Sequence, residues 1–210
     1  MDCKKLPEGI YGITAENFAD GKSNIECVKQ MIQAGIKIIQ YREKYKSLRE
    51  KLEEAKIIAK LCRESGVIFI VNDHIDIAML CDADGVHVGQ DDMHIADVRE
   101  LIGRDKIIGV STHEPAQAKQ AEADGADYIG VGPLLKTSTK DTPPVGYEYL
   151  EYVVQNIEIP FVAIGGIKEE NIKEVLKRGA KTICLVSDIV SSSDIAIKVD
   201  SLQAIIKSVK

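Results

Sequence analysis

Polar residues alternate along one short stretch of the chain, Gln40-Tyr41-Arg42-Glu43-Lys44. In an extended strand every second residue points to the same side, so Gln40, Arg42 and Lys44 would share a face. Ile36 and Ile38 precede them in the same phase, which predicts that this face is the interior of the fold. One amide and two cations rising from an apolar interior suit an anionic ligand. Arg grips a phosphate through two parallel hydrogen bonds, and Lys adds a compact charge. The plainer alternative is a strand end that leaves the core with its charges in water.

Two further stretches end in carboxylates, Val71-Asn72-Asp73 and Gly89-Gln90-Asp91-Asp92. Asp73 and Asp92 have no His or Cys companions of metal-site spacing. That donor set suits Mg²⁺, which keeps waters and takes its other ligands from phosphates. The alternative for each Asp is an ordinary helix N-cap. Gly132 to Pro144 forms a hydroxyl-rich stretch containing Thr137, Ser138, Thr139 and Lys140, suited to closing over a bound phosphate or to serving as a plain polar loop. Ala163-Ile164-Gly165-Gly166-Ile167 and Leu185-Val186-Ser187-Asp188 offer backbone N–H groups for a phosphate. Of the four histidines, His87 reads as a packed core residue and His94 as a surface residue opening a helix. His74 and His113 stand near polar strand ends, but neither is expected to be catalytic.

These residues need elements to position them. β-branched runs occur at Gly9–Thr14, Ile36–Arg42, Val67–Asn72, Gly85–Gly89, Lys106–Thr112, Tyr128–Gly132, Pro160–Gly166 and Lys181–Ser187. Between them the apolar spacing turns helical, as in Leu48–Glu64, Ala116–Ala123, Asn171–Arg178 and Ile195–Val209. Ala34-Gly35, Ser65-Gly66, Asp84-Gly85, Asp124-Gly125 and Arg178-Gly179-Ala180 precede strands where a helix C-cap is expected. Eight strand–helix units predict parallel strands with right-handed crossovers, closed as a single α/β (β/α)8 TIM barrel domain over residues 1–210. An open Rossmann-like sheet is the competing fold, but no G-x-G-x-x-G follows the first strand. Each polar stretch singled out above falls at a strand's C-terminal end, the face on which barrels build active sites.

Composition narrows the classes. A net charge of −6 without a basic block argues against nucleic-acid binding. No apolar run is long enough for a membrane helix, and the first residues do not resemble a signal peptide, so a cytoplasmic protein is expected. Five scattered cysteines without a Cys-x-x-Cys pair do not suggest disulfides or zinc.

Taken in order, Gln40-x-Arg42-Glu43-Lys44, Asn72-Asp73, Gly85-Val86-His87-Val88-Gly89-Gln90-Asp91-Asp92, Ser111-Thr112-His113, Thr137-Ser138-Thr139-Lys140, Ala163-Ile164-Gly165-Gly166-Ile167 and Val186-Ser187 resemble the thiamine-phosphate synthase family. The resemblance implies a barrel transferase that joins a pyrimidine diphosphate to a thiazole phosphate, releasing diphosphate. It implies that Gln40, Arg42, Glu43, Lys44, Asn72, Ser111 and Lys140 bind the pyrimidine diphosphate, with Arg42, Lys44 and Lys140 stabilising the departing diphosphate. Asp73 and Asp92 would hold Mg²⁺, and Thr137, Thr139, Gly166, Val186 and Ser187 would bind the thiazole phosphate. A homodimer is implied by the resemblance alone. His74 stands where the family usually has Arg, and Leu134-Leu135-Lys136 replaces a usual Ile-Phe-Pro-like stretch. Two other readings remain: a thiazole tautomerase using a base such as His113, and a non-catalytic sensor of phosphate ligands.

Overall fold

A computed structural model of the chain describes residues 6–137, 139 and 142–209. Eight strands form a closed ring of parallel neighbours in sequence order: β1 (Gly9–Ile13), β2 (Ile38–Tyr41), β3 (Ile68–Asn72), β4 (Gly85–Val88), β5 (Ile107–Thr112), β6 (Tyr128–Val131), β7 (Phe161–Ile164) and β8 (Thr182–Cys184). The ring closes where Gly9 and Ile10 pair with Thr182 and Ile183. Helices α1 (Asn24–Gln33), α2 (Leu48–Glu64), α3 (Ile75–Leu80), α4 (Ile95–Ile102), α5 (Pro115–Ala123), α6 (Gly146–Asn156), α7 (Ile172–Lys177), α8 (Val186–Val190) and α9 (Ile195–Val209) surround it. This is the (β/α)8 TIM barrel. Among the described residues, no helix is long and apolar enough to cross a membrane.

The strands bury both faces. Outward residues such as Ile39, Val71, Val86, Val110 and Ile129 pack under the helices. Inward residues Tyr11, Ile13, Ile38, Ile70, Ile107, Tyr128, Val162 and Cys184 form a second, enclosed cluster. Ile38 is therefore interior, as the alternation predicts, and Gln40 follows it in phase. Ile36 instead packs outside, in the layer between strands and helices. It precedes the regular part of β2, so the two-residue period does not extend back to it.

Helix ends follow their local chemistry. Ser23 and Ser47 close capping boxes with Glu26 and Glu50 at the starts of α1 and α2. Gly35, Gly66, Gly125 and Gly179 take the positive φ expected after helices. Gly85 does not. It lies inside β4, and a Cβ there would fall 2.2 Å from the Ile107 carbonyl oxygen, while Asp82 supplies the left-handed residue of that turn. The run expected as strand to Ser187 stops at Cys184. Leu185 turns the chain, and Val186 begins the short helix α8.

Candidate active site

The loop after β2 is held from below and from behind. Thr14, fully buried at the end of β1, accepts the Arg42 N–H at 2.8 Å and donates to the Arg42 carbonyl at 3.1 Å. Both backbone groups of Arg42 are thus fixed by one hydroxyl. No hydrogen bond or ion pair engages the Arg42 guanidinium among the described residues, which leaves its donors available to a ligand.

Glu43, in contrast, turns its carboxylate into the protein. It accepts Asn24 Nδ2 at 3.0 Å, the Tyr45 N–H at 2.7 Å and the Lys46 N–H at 3.4 Å. Burial alone would raise its pKa, but these donors outweigh it and hold the carboxyl below the usual range. Lys46 in turn bridges Glu16 at 2.5 Å and Glu54 at 2.9 Å. Asn24 and Tyr41 also donate to Glu54, at 3.0 and 2.7 Å. Burial works to lower the pKa of Lys46, yet its carboxylate partners prevail and raise it. Sequence reading missed this network because its members come from four elements. The carboxylates of Glu16, Glu43 and Glu54 lie close enough together to hold a metal, but the Lys46 ammonium already sits between Glu16 and Glu54.

Lys44 reaches across to β3, with Nζ 3.1 Å from Asp73 Oδ2. Asp73 takes a left-handed φ of 61° while its N–H still bonds the His87 carbonyl at 2.9 Å. Its Oδ1 has no hydrogen bond among the described residues. Asp92 folds back so that Oδ2 accepts the Gly89 N–H at 2.7 Å, and its other oxygen is likewise uncommitted. Each carboxylate thus retains a hard oxygen donor of the kind Mg²⁺ takes, so the pair fits that ion.

Asn72 ends β3 on the inward phase beside His87, its register partner on β4. His74 opens α3 and pairs with Lys51 at 3.2 Å. At the end of β5, Ser111 Oγ lies 2.9 Å from His87 Nε2, and its carbonyl accepts Gln90 Nε2 at 2.7 Å. His113 Nδ1 contacts the Gly132 carbonyl at 2.5 Å. A carbonyl only accepts, so Nδ1 carries the proton there.

The other side of the rim is a cavity of about 400 Å³. Thr137, Thr139, Gly166, Val186 and Ser187 all line it, joined by Gly165. Thr137 Oγ1 and Thr139 Oγ1 stand 2.9 Å apart, and a Cβ on Gly166 would come within 2.7 Å of Leu135 and of the Lys136 carbonyl. The glycine therefore lets the loop after β6 lie against the end of β7. Ser138 and Lys140 lie outside the described residues. Two clusters of candidate residues result, one on β2–β5 and one on β6–β8, both at the C-terminal ends of the strands.

A sequence model of the family described as thiamine monophosphate synthase matches residues 10–189. The chain is 61% identical over 203 residues to the thiamine-phosphate synthase of Pelotomaculum thermopropionicum, covering 96% of this chain and 93% of that protein. It is 54% identical over 200 residues to the thiamine-phosphate synthase of Caldicellulosiruptor saccharolyticus, covering 94% and 90%. Among solved structures it resembles thiamine phosphate pyrophosphorylase from Pyrococcus furiosus, with TM-score 0.88, 36% identity, and coverage of 95% of this chain and 96% of that one.

Proposed function

Because this chain belongs to the thiamine monophosphate synthase family, we propose that it is a thiamine-phosphate synthase, a transferase that joins a pyrimidinylmethyl diphosphate to a thiazole phosphate. The observation that carries this reading is the division of one rim into two subsites. One subsite holds a guanidinium and two carboxylate oxygens that have no partner among the described residues, together with a lysine. The other is a cavity lined by hydroxyls and glycines, suited to a monophosphate. The relatives lend no support to a tautomerase or a sensor.

On this reading Gln40, Arg42, Lys44, Asn72, Ser111 and Lys140 bind the pyrimidine diphosphate. Glu43 serves that subsite through the loop it holds. Asp73 and Asp92 bind Mg²⁺, which when present neutralises charge on the diphosphate. Thr137, Thr139, Gly166, Val186 and Ser187 bind the thiazole phosphate.

The C–O bond between the methylene carbon and the diphosphate breaks, and the electron pair leaves with the diphosphate. Arg42, Lys44 and Lys140 stabilise the charge that develops there. The aminopyrimidine ring disperses the positive charge left on the methylene. The thiazole nitrogen then donates its lone pair to form the new C–N bond. No side-chain nucleophile is required, so positioning and charge stabilisation carry the rate. The enzyme is cytoplasmic, binds no nucleic acid, and pairs as a homodimer, which sedimentation would detect.

The test mixes both phosphorylated substrates with Mg²⁺ and measures diphosphate. Release that requires both substrates supports the synthase. Isomerisation of the thiazole phosphate without diphosphate release would replace it with the tautomerase, and binding without turnover would replace it with the sensor.

A further inference from the structure

Three interior side chains that the proposed chemistry does not use connect two that it does. Gln40 Nε2 donates to the Tyr11 hydroxyl at 3.1 Å, and the Tyr11 and Tyr128 hydroxyls meet at 2.7 Å. The Tyr128 hydroxyl lies 2.9 Å from His87 Nδ1, and His87 Nε2 lies 2.9 Å from Ser111 Oγ. The chain of contacts crosses the barrel interior from β2 to β5. Its course is cleared by two glycines. A Cβ on Gly109 would fall 2.1 Å from the Tyr128 ring, and one on Gly130 would press on His87 Cε1 at 3.3 Å.

Counting protons gives the chain a direction. Burial, above all, pushes both tyrosines well above their usual pKa, so each hydroxyl keeps its one proton. Gln40 already donates to Tyr11, so the Tyr11 proton has Tyr128 as its acceptor. Tyr128 must then donate to His87 Nδ1. A neutral imidazole that accepts at Nδ1 carries its proton on Nε2, facing Ser111. Run in reverse, the chain would leave the Tyr11 hydroxyl proton without an acceptor in a fully enclosed position, a costly arrangement. In the forward direction every donor of the chain has an acceptor, and Ser111 receives a hydrogen bond from behind.

We propose that His87 is a positioning residue: its Nε2–H, fixed by the Tyr128–Tyr11–Gln40 chain, occupies Ser111 as an acceptor, so that the Ser111 hydroxyl donates to an acceptor atom of the bound pyrimidine diphosphate. This rests on the reading of Ser111 as a ligand of that substrate. A serine with no such partner behind it spends its proton on whichever acceptor lies nearest. This one is committed to the ligand before the ligand arrives, which is preorganisation in its simplest form.

A double-mutant cycle tests the idea on the full-length enzyme. Ser111→Ala and His87→Leu should each lower kcat/KM by roughly tenfold, the scale of one hydrogen bond to a charged or well-placed acceptor. The loss should appear against the pyrimidine diphosphate, with the KM for the thiazole phosphate unchanged. The double variant should lose no more than either single one, and His87→Gln, which can still present an N–H, should recover part of the loss. Additive losses would overturn the proposal, because a histidine that merely packs acts independently of Ser111. No effect of Ser111→Ala would instead sink the assignment of Ser111 to the substrate. Nitrogen NMR of His87 reads the direction of the chain without any turnover. The Nε2–H tautomer is expected, and its preference should vanish in Tyr128→Phe; an Nδ1–H tautomer in the unaltered enzyme would overturn the proposal even if the variants fail to fold.

Discussion

Lys44 Nζ rests 3.1 Å from Asp73 Oδ2, so a cation of the loop after β2 closes onto a carboxylate of the loop after β3. Both side chains are partly exposed, and a pair of that kind contributes at most about 1 kcal/mol. A doubly charged ion and a diphosphate can therefore replace it without a large loss. On the proposed reading, the pair would hold the two loops together in the empty site and yield to substrate.

Replacing Asp73 with Asn keeps a residue that tolerates the left-handed φ of 61° and removes the charge. Turnover should fall roughly 10²–10³-fold, the scale of losing a charge-stabilising group, with the melting temperature nearly unchanged. Asp73→Ala should lose turnover too, but also about 1 kcal/mol or more of stability from backbone strain. Chelation should abolish diphosphate release, and added Mg²⁺ should restore it. Near-normal turnover by Asp73→Asn at saturating substrate would defeat the metal assignment.

Gly166→Ala places a methyl against Leu135 and the Lys136 carbonyl, forcing the loop after β6 away from the cavity. The KM for the thiazole phosphate should rise by more than tenfold (roughly, on the scale of a misplaced positioning group) while that for the pyrimidine diphosphate changes little. Steady-state kinetics with each substrate varied in turn would show the split, and equal effects on both would argue against a separate monophosphate subsite.

Lys46→Met leaves Glu16 and buried Glu54 facing one another without their cation. The cost should be about 3 kcal/mol, as for breaking a buried pair by removing one partner, read from urea unfolding. The pH dependence has a definite sign. The pKa of Glu43 is depressed in the fold, so its contribution is present above the ordinary carboxylate range and drains away as pH falls through its lower folded value. Lys46 is raised, so its contribution is complete below the ordinary lysine range and is lost only as pH climbs through the higher folded value. The contribution of this network should therefore be flat between those limits and fall on either side.

Cys27, Cys62 and Cys81 are buried, and that burial pushes their thiols up to about 11, 12 and 11. Cys184, enclosed in the barrel, is pushed higher still. In a Cys3→Ser variant, a thiol reagent at pH 8 should find no reactive group until denaturant is added. Rapid labelling of the native variant would show that the segment around one of these cysteines opens locally.

The barrel was legible because its signal repeats. Leu48–Glu64 and Ile195–Val209 are helices with the boundaries their spacing predicts. The strand end at Leu185–Ser187 was not, since an apolar run reads alike whether it stays extended or winds into one helical turn. The rim residues Gln40, Arg42, Lys44 and Asp73 stood out as polar positions ending apolar strands. Glu43 entered the set only through the resemblance; it stands out of phase with Gln40, Arg42 and Lys44, and its side chain faces Asn24. His87 was read as a packed core residue and is indeed buried. What no local pattern could reveal is its link to Tyr128 and Ser111, residues brought to it only by closure of the ring. Tyrosines at the inward phase of β1 and β6 were the available hint, for a hydroxyl in an apolar interior needs a partner.

The seam of the barrel, where Gly9 and Ile10 meet Thr182 and Ile183, also governs how the molecule comes into being. Of the eight strands, ribosomal synthesis delivers β1 first and β8 last. Until then β1 and the newest strand each present unpaired backbone along an open edge, a surface prone to joining other chains. The cavity at the rim is lined in part by Val186 and Ser187, which emerge after β8, so on the proposed reading a nascent chain that stops before them lacks a complete monophosphate subsite. Catalytic competence and protection from aggregation are thus acquired together, at the moment the last strand docks beside the first.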